Sequence, residues 1–323
     1  MQGTPRKGQL SKRSFLERVA RMYYILGYNQ QEISEQLNVG RSSVARFLQE
    51  ARDQGVVQFR ISSDFESWRC ESLESELVGA AGLKDCVVLR SDERAGFSFE
   101  ALASSYLNSV LPDRGSVGLG WGRTLYAVGT HMHSCDARPD LKLIQLSGGL
   151  GAKEELVPAT SVVQQWSRAL HGKALLLPAP AIVSAMESKV RFLDDPSVRE
   201  IMEETKRVNA AIVGIGHIGS DATIISANLA ADLHPELMSS GLAGDIAFHF
   251  FDRNGVFSAY ERLSERVIGI TPEDFLNIEL RIGIAHGLQK VQAIRGALLG
   301  GLIGILITTE ETAKHLLPAI RNA

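Results

Sequence analysis

Four short apolar runs in this 323-residue chain lead directly into glycine: GLGWG at 118–122, SGGLG at 147–151, GIGHIG at 214–219 and AHG at 285–287. Apolar runs of strand length, among them CVVL, LKLIQL, KALLLPA, AFHFF and GILIT, alternate with helical patterns such as FEALASSYLNSVL, TSVVQQWSRALHG and DPSVREIMEETKRV. Strands that are apolar throughout are buried on both faces, and the intervening helices supply the crossovers. The spacing therefore predicts an α/β domain with a mainly parallel sheet. In such sheets ligands bind beyond the carboxyl ends of the strands, where glycine lets backbone amides approach an anion. Four glycine turns at one edge point to a shared ligand site.

Two cations sharpen this reading. Arg123 falls in the predicted first turn of the helix after Gly122, and Lys290 in that after Gly287. A cation there opposes the positive end of the helix dipole, at a cost of a few tenths to about 1 kcal/mol. A phosphate held by the loop amides, the Thr124 hydroxyl and both cations offsets that cost through charge-assisted hydrogen bonds. The bland alternative is two surface side chains turned away from their helix ends. GIGHIG also matches the dinucleotide pattern GxGxxG, with Asp232 eighteen residues beyond its first glycine. The segment that follows, SDATIISANL, does not open as a helix, which that mode requires, so no nucleotide cofactor is expected.

The N-terminus has a different character. Residues 1–60 hold ten Lys and Arg against five Asp and Glu, so they carry +5 within a chain of net charge −3. A basic head on an acidic body suggests a polyanionic partner. Leu16, Val19, Ala20, Met22, Tyr23 and Leu26 recur at helical spacing. Asn29 sits three residues before Glu32, a capping-box arrangement that opens a second helix, QQEISEQL. Asn38 suits a left-handed turn, after which Val44, Phe47, Leu48 and Ala51 form an apolar stripe. Arg41, Ser42, Ser43, Arg46 and Gln49 lie on or near the other face, with side chains that donate to phosphates and base edges. This pattern reads as a helix-turn-helix, with 41–54 as recognition helix and VVQFRI as a short wing; an ordinary helical hairpin is the alternative.

The stretch RVARMYYILGYNQQEISEQLNVGRSSVARFLQEARDQGVVQFRI resembles the N-terminal domain of SorC-type bacterial sugar-responsive transcription regulators, grouped with DeoR-type regulators. Gly40 departs from the serine usual at the recognition-helix cap, and Gln30 joins the DNA-contact set by resemblance. Residues 83–320 are similar to the SorC effector domain through GWGRTLYAV (120–128), GGLG (148–151), LPAPAIV (177–183), VGIGHIG (213–219), GLAGDI (241–246) and Lys290–Ile294. That domain is related in fold to glucosamine-6-phosphate deaminase, ribose-5-phosphate isomerase and CoA transferases.

The resemblance implies an effector site of Gly120, Gly122, Arg123 and Thr124 as phosphate loop, Gly148 and Gly149 as a second wall, Gly216 and His217 beside them, Asp245 as hydroxyl acceptor and Lys290 as phosphate partner. Asp245 as mere support for a turn is the competing role. Arg123 replaces the small hydroxyl residue that some members carry, so both sugar phosphates and free polyols stand as effectors.

The expected organisation is a winged helix-turn-helix at 1–62, a linker helix at 63–82 and a Rossmann-like α/β effector and oligomerisation domain at 83–323. The expected function is transcriptional control of carbohydrate metabolism on double-stranded operator DNA by a dimer or tetramer. A sugar-phosphate isomerase or deaminase is the alternative. It needs a positioned general base, and Asp245, His217 and His286 show no spacing that declares a catalytic pair. Cys70, Cys86 and Cys135 lack metal-ligand spacing, so neither metal nor cofactor is expected. No uninterrupted apolar run is long enough to span a membrane, and the basic N-terminus lacks a signal core, so a cytoplasmic protein is expected.

Overall fold

The computed structural model describes residues 12–54, 56–57, 68–90, 98–149, 157–220, 222, 231–257 and 264–321. The chain divides into two compact units, Met1–Ser63 and Asp64–Ala323.

The first unit contains α1 (Lys12–Tyr24), α2 (Gln30–Leu37) and α3 (Arg41–Asp53). Leu16, Val19, Ala20 and Met22 of α1 pack with Ile33 of α2 and Val44, Leu48 and Ala51 of α3, all buried. The start of α2 is a capping box. The Asn29 side chain accepts from the Gln31 and Glu32 amides at 2.9 and 3.0 Å, while the Glu32 carboxylate accepts from the Asn29 N–H at 2.8 Å. Asn38 ends the helix in the left-handed conformation, φ 51° and ψ 48°, and its N–H donates to the last turn of α2. Residues 38–40 make the short turn into α3. Of the segment expected to form a wing, only Val56 and Val57 are among the described residues; the remainder lies outside them.

The second unit is built on a seven-stranded sheet of β1 (Asp85–Leu89), β2 (Arg114–Leu119), β3 (Asp140–Gln145), β4 (Lys173–Leu175), β5 (Ala210–Gly214), β9 (Leu280–Ile284) and β10 (Ile305–Thr309). The order is β1-β10-β9-β5-β2-β3-β4, and every neighbouring pair is parallel. Alternate strand residues serve opposite faces. Cys86 and Val88 of β1, Ala211 and Val213 of β5 and Leu306 of β10 pack beneath the helices Glu71–Ala81, Val291–Leu299 and Glu310–Arg321. Val87 and Leu89, Ala210 and Ile212, and Ile305 and Ile307 face Phe99–Val110, Arg123–His131 and Ala159–Leu170 instead. The result is a three-layer sandwich, as strands apolar on both faces require. A separate antiparallel sheet joins β6 (Gly216–His217), β7 (Gly244–Ile246) and β8 (His249–Phe251).

Chain order fixes the functional edge. From β2 the chain runs outward through β3 and β4, then returns to the other side of β2 at β5 and continues towards β9 and β10. The reversal between β2 and β5 is a topological switch point, where loops leave the sheet in opposite directions and open a crevice.

The helix Glu71–Ala81 buries Leu77 fully in the core beneath the sheet. Just before it, residues 68–70 run antiparallel to the outer edge of β1: the Arg90 N–H donates to Trp68 O at 2.8 Å and the Cys70 N–H to Val88 O at 2.9 Å. Glu74 completes this cover by accepting from the Val88 N–H at 2.9 Å and from Arg69 at 2.8–3.1 Å. An edge strand otherwise left open is thereby protected. The helix expected as a linker is therefore packed into the second unit.

Gly40 caps α3 with φ −67° and ψ 144° and offers no side-chain acceptor. Serine fits this backbone, and a Cβ would lie no closer than 3.7 Å to the Ser43 hydroxyl. Gly40→Ser is expected to stabilise the first unit by a few tenths of a kcal/mol, measured as a raised denaturation midpoint with unchanged m-value.

Candidate ligand-binding site and nucleic-acid interface

A cavity of about 300 Å³ opens at the switch point. Its wall comes from the ends of three adjacent strands and the segments after them: Trp121–Leu125 beyond β2, Gly214 at the end of β5 with Ile215 and His217 beyond it, and His286, Gln289 and Lys290 beyond β9. Asp245 and Phe248, from the β7–β8 hairpin, complete it.

The same backbone device occurs twice. Gly122 has φ 144° and Gly287 φ 107°, conformations open to glycine and strained for other residues. Each turns the chain from a strand into a helical segment. Arg123 is the first residue of Arg123–His131, and Lys290 ends a short 3₁₀ turn and caps Val291–Leu299. Neither helix start has a side-chain cap; the first-turn amides of Arg123–His131, which lack intrahelical partners, are open to another acceptor, while at the other start the Lys290 and Val291 N–H groups already donate to Gly287 O and Leu288 O. Two cations, two positive helix ends and the Thr124 hydroxyl thus converge on one space. Burial lowers the Lys290 pKa, Asp245 raises it and Arg123 adds a lowering repulsion. A bound anion would relieve that repulsion.

Asp245 is the acidic counterpart. Its carboxyl reaches the cavity yet is hemmed in by protein, and this desolvation pushes its pKa to about 6, against the lowering effects of the Phe248 N–H, Lys290 and His217. The carboxylate accepts from the Phe248 N–H at 3.3 Å across the hairpin turn. It thus supports the turn while standing in the cavity wall. Ala247 and Phe248 hold φ of 52° and 68° in that turn, a left-handed pair that costs non-glycine residues on the order of 1 kcal/mol each. Burial and the nearby Lys290 charge depress the His286 pKa, and Glu100 opposes this. His286 packs on Phe99 at 4.5 Å between ring centroids.

Of the effector residues inferred from sequence, Gly122, Arg123, Thr124, His217, Asp245 and Lys290 line the cavity. Gly216 is paired with Asp245 across β6 and β7, and a Cβ there would stand 1.9 Å from the Asp245 Oδ1. The second glycine of GIGHIG therefore makes room for the carboxylate, and it sits in a strand rather than at a helix start. Gly120, Gly148 and Gly149 are not in the wall. Gly120 lets the end of β2 approach β5, donating its N–H to Ile212 O at 2.9 Å, with Val213 Cα 3.3 Å from where its Cβ would stand. Gly148 lies under Pro180, and Gly149 exchanges hydrogen bonds with Ala179 and Ala181 at 2.8 Å. Sequence reasoning missed Trp121, Phe248 and Gln289, and treated His286 only as a candidate base. The adjacency of Trp121 and Gln289 to the marked glycines was the available signal; Phe248 had none.

In the first unit, Arg41, Ser42, Arg46 and Gln49 are exposed on α3, with Ser43 and Gln30 half-buried. The Arg46 guanidinium stands 5.6 Å from the Phe47 ring centroid, and the Gln49 carbonyl accepts from Arg52 at 2.7 Å. The polar face follows the short turn, as in helices that enter the major groove.

A helix-turn-helix joined to an α/β unit with a cation-lined switch-point cavity defines a ligand-responsive DNA-binding regulator. Residues 66–318 match the family described as "Putative sugar-binding domain". The chain is 30% identical over 318 residues to Transcriptional regulator LsrR of Klebsiella pneumoniae, covering 95% of this chain and 94% of that protein. It is 29% identical over 301 residues to the Deoxyribonucleoside regulator of Bacillus subtilis, covering 92% and 95%. A DeoR family transcriptional regulator from Listeria monocytogenes superposes with TM-score 0.68 at 26% identity, over 76% of this chain and 98% of that one. The full-length sorbitol operon regulator SorC from K. pneumoniae shares the fold with TM-score 0.68 at 24% identity, over 96% and 100%. The chain belongs to this sugar-binding-domain family of SorC/DeoR-type transcriptional regulators. The relatives are regulators rather than enzymes, which sets aside the isomerase or deaminase alternative. Among the described residues no helix is long and apolar enough to cross a membrane.

Two outcomes follow from this geometry. A Cβ at Gly148 would lie 2.4 Å from the Pro180 backbone, so Gly148→Ala is expected to cost about 1–3 kcal/mol in denaturant unfolding. Asp245 has a folded pKa above its unfolded value of 3.8. Its contribution to stability is fully present below pH 3.8 and is lost as pH rises through about 6. Asp245→Asn should therefore flatten the fall in melting temperature over that window, by the equivalent of roughly 1–3 kcal/mol.

Proposed function

We propose that this chain binds double-stranded operator DNA through α3 and senses a phosphorylated sugar in the switch-point cavity. The observation that carries the reading is the convergence of Arg123 and Lys290, at two helix starts without side-chain caps, on one cavity that also presents Asp245. The cations and first-turn amides suit a phosphate, and Asp245 suits a sugar hydroxyl. Arg41, Ser42, Ser43, Arg46 and Gln49 are assigned to base edges and phosphates, with Gln30 at the flanking backbone. The regulator works in the cytoplasm as a dimer or tetramer, because two heads are needed to engage half-sites about 34 Å apart or a multiple of that. Effector binding shifts operator affinity through its differential affinity for the two arrangements of that assembly. The match to the sugar-binding-domain family and the transcriptional-regulator relatives support control of carbohydrate metabolism by this chain.

Fluorescence anisotropy on DNA flanking its own gene, combined with thermal-shift screening of sugars, polyols and their phosphates, tests the assignment. Arg46→Ala should weaken operator binding about tenfold or more, reduce its salt dependence and spare effector binding. Arg123→Ala and Lys290→Ala should each lower effector affinity about tenfold or more while DNA binding persists. Turnover of sugar phosphates at enzymatic rates without salt-sensitive DNA binding would overturn the reading.

A further inference from the structure

The cations and helix starts account for an anionic group, but they leave the aromatic part of the cavity without a role. Trp121 and Phe248 both line it, their rings stacked at 5.7 Å between centroids and 21° between planes. Phe248 is only 4% exposed, whereas Trp121 is part-exposed, so the phenyl ring backs the indole and the indole is the accessible partner. The indole is anchored, its Nε1 donating to Val157 O at 2.5 Å. Phe248 occupies a left-handed position that hairpin turns ordinarily give to glycine or asparagine. The phenyl ring is itself buried with Ala181 and Val267, and Trp121 packs against that cluster, so the surface behind the indole is firm. The turn's N–H is held in addition by Asp245, the hydroxyl acceptor. Aromatic support and polar recognition are therefore built on one hairpin.

A rigid indole face in a polar cavity discriminates by shape. A cyclised sugar presents a flat array of C–H bonds that covers such a face without losing torsional freedom. An open-chain polyol phosphate carries the same anion and hydroxyls but has no such face and must freeze several torsions on binding. The cavity, about 300 Å³, suits one monosaccharide phosphate. We propose that Trp121, backed by Phe248, makes this site select the ring form of a monosaccharide phosphate over the corresponding open-chain polyol phosphate. The inference rests on the reading of the cavity as the effector site.

Isothermal titration of the full chain with ribose 5-phosphate against ribitol 5-phosphate, glucose 6-phosphate against glucitol 6-phosphate, and inorganic phosphate alone tests it. At least one ring sugar should bind about tenfold or more tighter than its open-chain partner. Trp121→Ala should cut that ratio to about threefold or less while leaving the affinity for inorganic phosphate within about twofold. Trp121→Phe, which keeps a flat face, should retain most of the ratio. Should the alanine variant fail to fold, Trp121→Leu takes its place, since it keeps apolar bulk and removes the face. Equal or tighter binding of the open-chain partners by the wild-type chain would overturn the proposal. So would equal weakening of every probe, inorganic phosphate included, by the alanine or leucine variant, because that marks Trp121 as structural support alone. If none of the phosphorylated probes binds, the effector-site reading itself falls, a result distinct from a lost ring preference.

Discussion

A parallel sheet cannot leave a face in water. Its strands must be covered on both sides, each return crossover is a helix, and every strand delivers its loop to the same edge. In this protein that constraint collects the segments after β2, β5 and β9 at one place without any of them being adjacent in sequence. The reversal of chain direction between β2 and β5 parts the loops there. The core and the cavity are consequently separable: Val117 and Leu119 pack the sheet, while Trp121 to Thr124, a few residues further on, line the cavity. Changes in ligand chemistry can be accommodated in the loops with little effect on the layers beneath.

Charge in the cavity is arranged against local preference. Arg123 and Lys290 are on the wrong ends of their helices, Asp245 is ionised only at the cost of desolvation, and Ala247 and Phe248 sit in left-handed backbone. Each departure is small, and together they are affordable only because the surrounding layers are well packed. A site whose groups oppose their surroundings has the most to gain from a complementary ligand. Such a site converts ligand binding into a change in the stability of its own loops.

Much of this was legible in the sequence because the signals were local. The strand positions followed from apolar runs between helical patterns, the turn of the first unit from Asn29, Glu32 and Asn38, and the placement of Arg123 and Lys290 from the glycines that precede them. What was not legible depended on partners distant in the chain. Gly120 and Gly148 have the appearance of anion-loop glycines, yet they are small because Val213 and Pro180 press on them. Gly216 looks like part of a nucleotide fingerprint, but its missing side chain serves Asp245, nearly thirty residues later. Trp121 and Phe248 meet only once the hairpin folds onto the end of β2. The helix 71–81 has a charged, linker-like composition, and its burial turns on Leu77 and Glu74 finding the edge of β1.

That edge has a mechanical meaning. Residues 68–70 are fastened to β1 through main-chain bonds, and the Arg69–Glu74 pair, largely buried, holds the same strand. Cutting one partner of such a pair strands a charge and typically costs several kcal/mol. The α/β unit therefore hands the chain on from a fixed anchorage at the outermost strand, next to the carboxyl edge of the sheet. A displacement of β1 would be passed directly to residues 68–70 through these main-chain bonds, without being lost in slack.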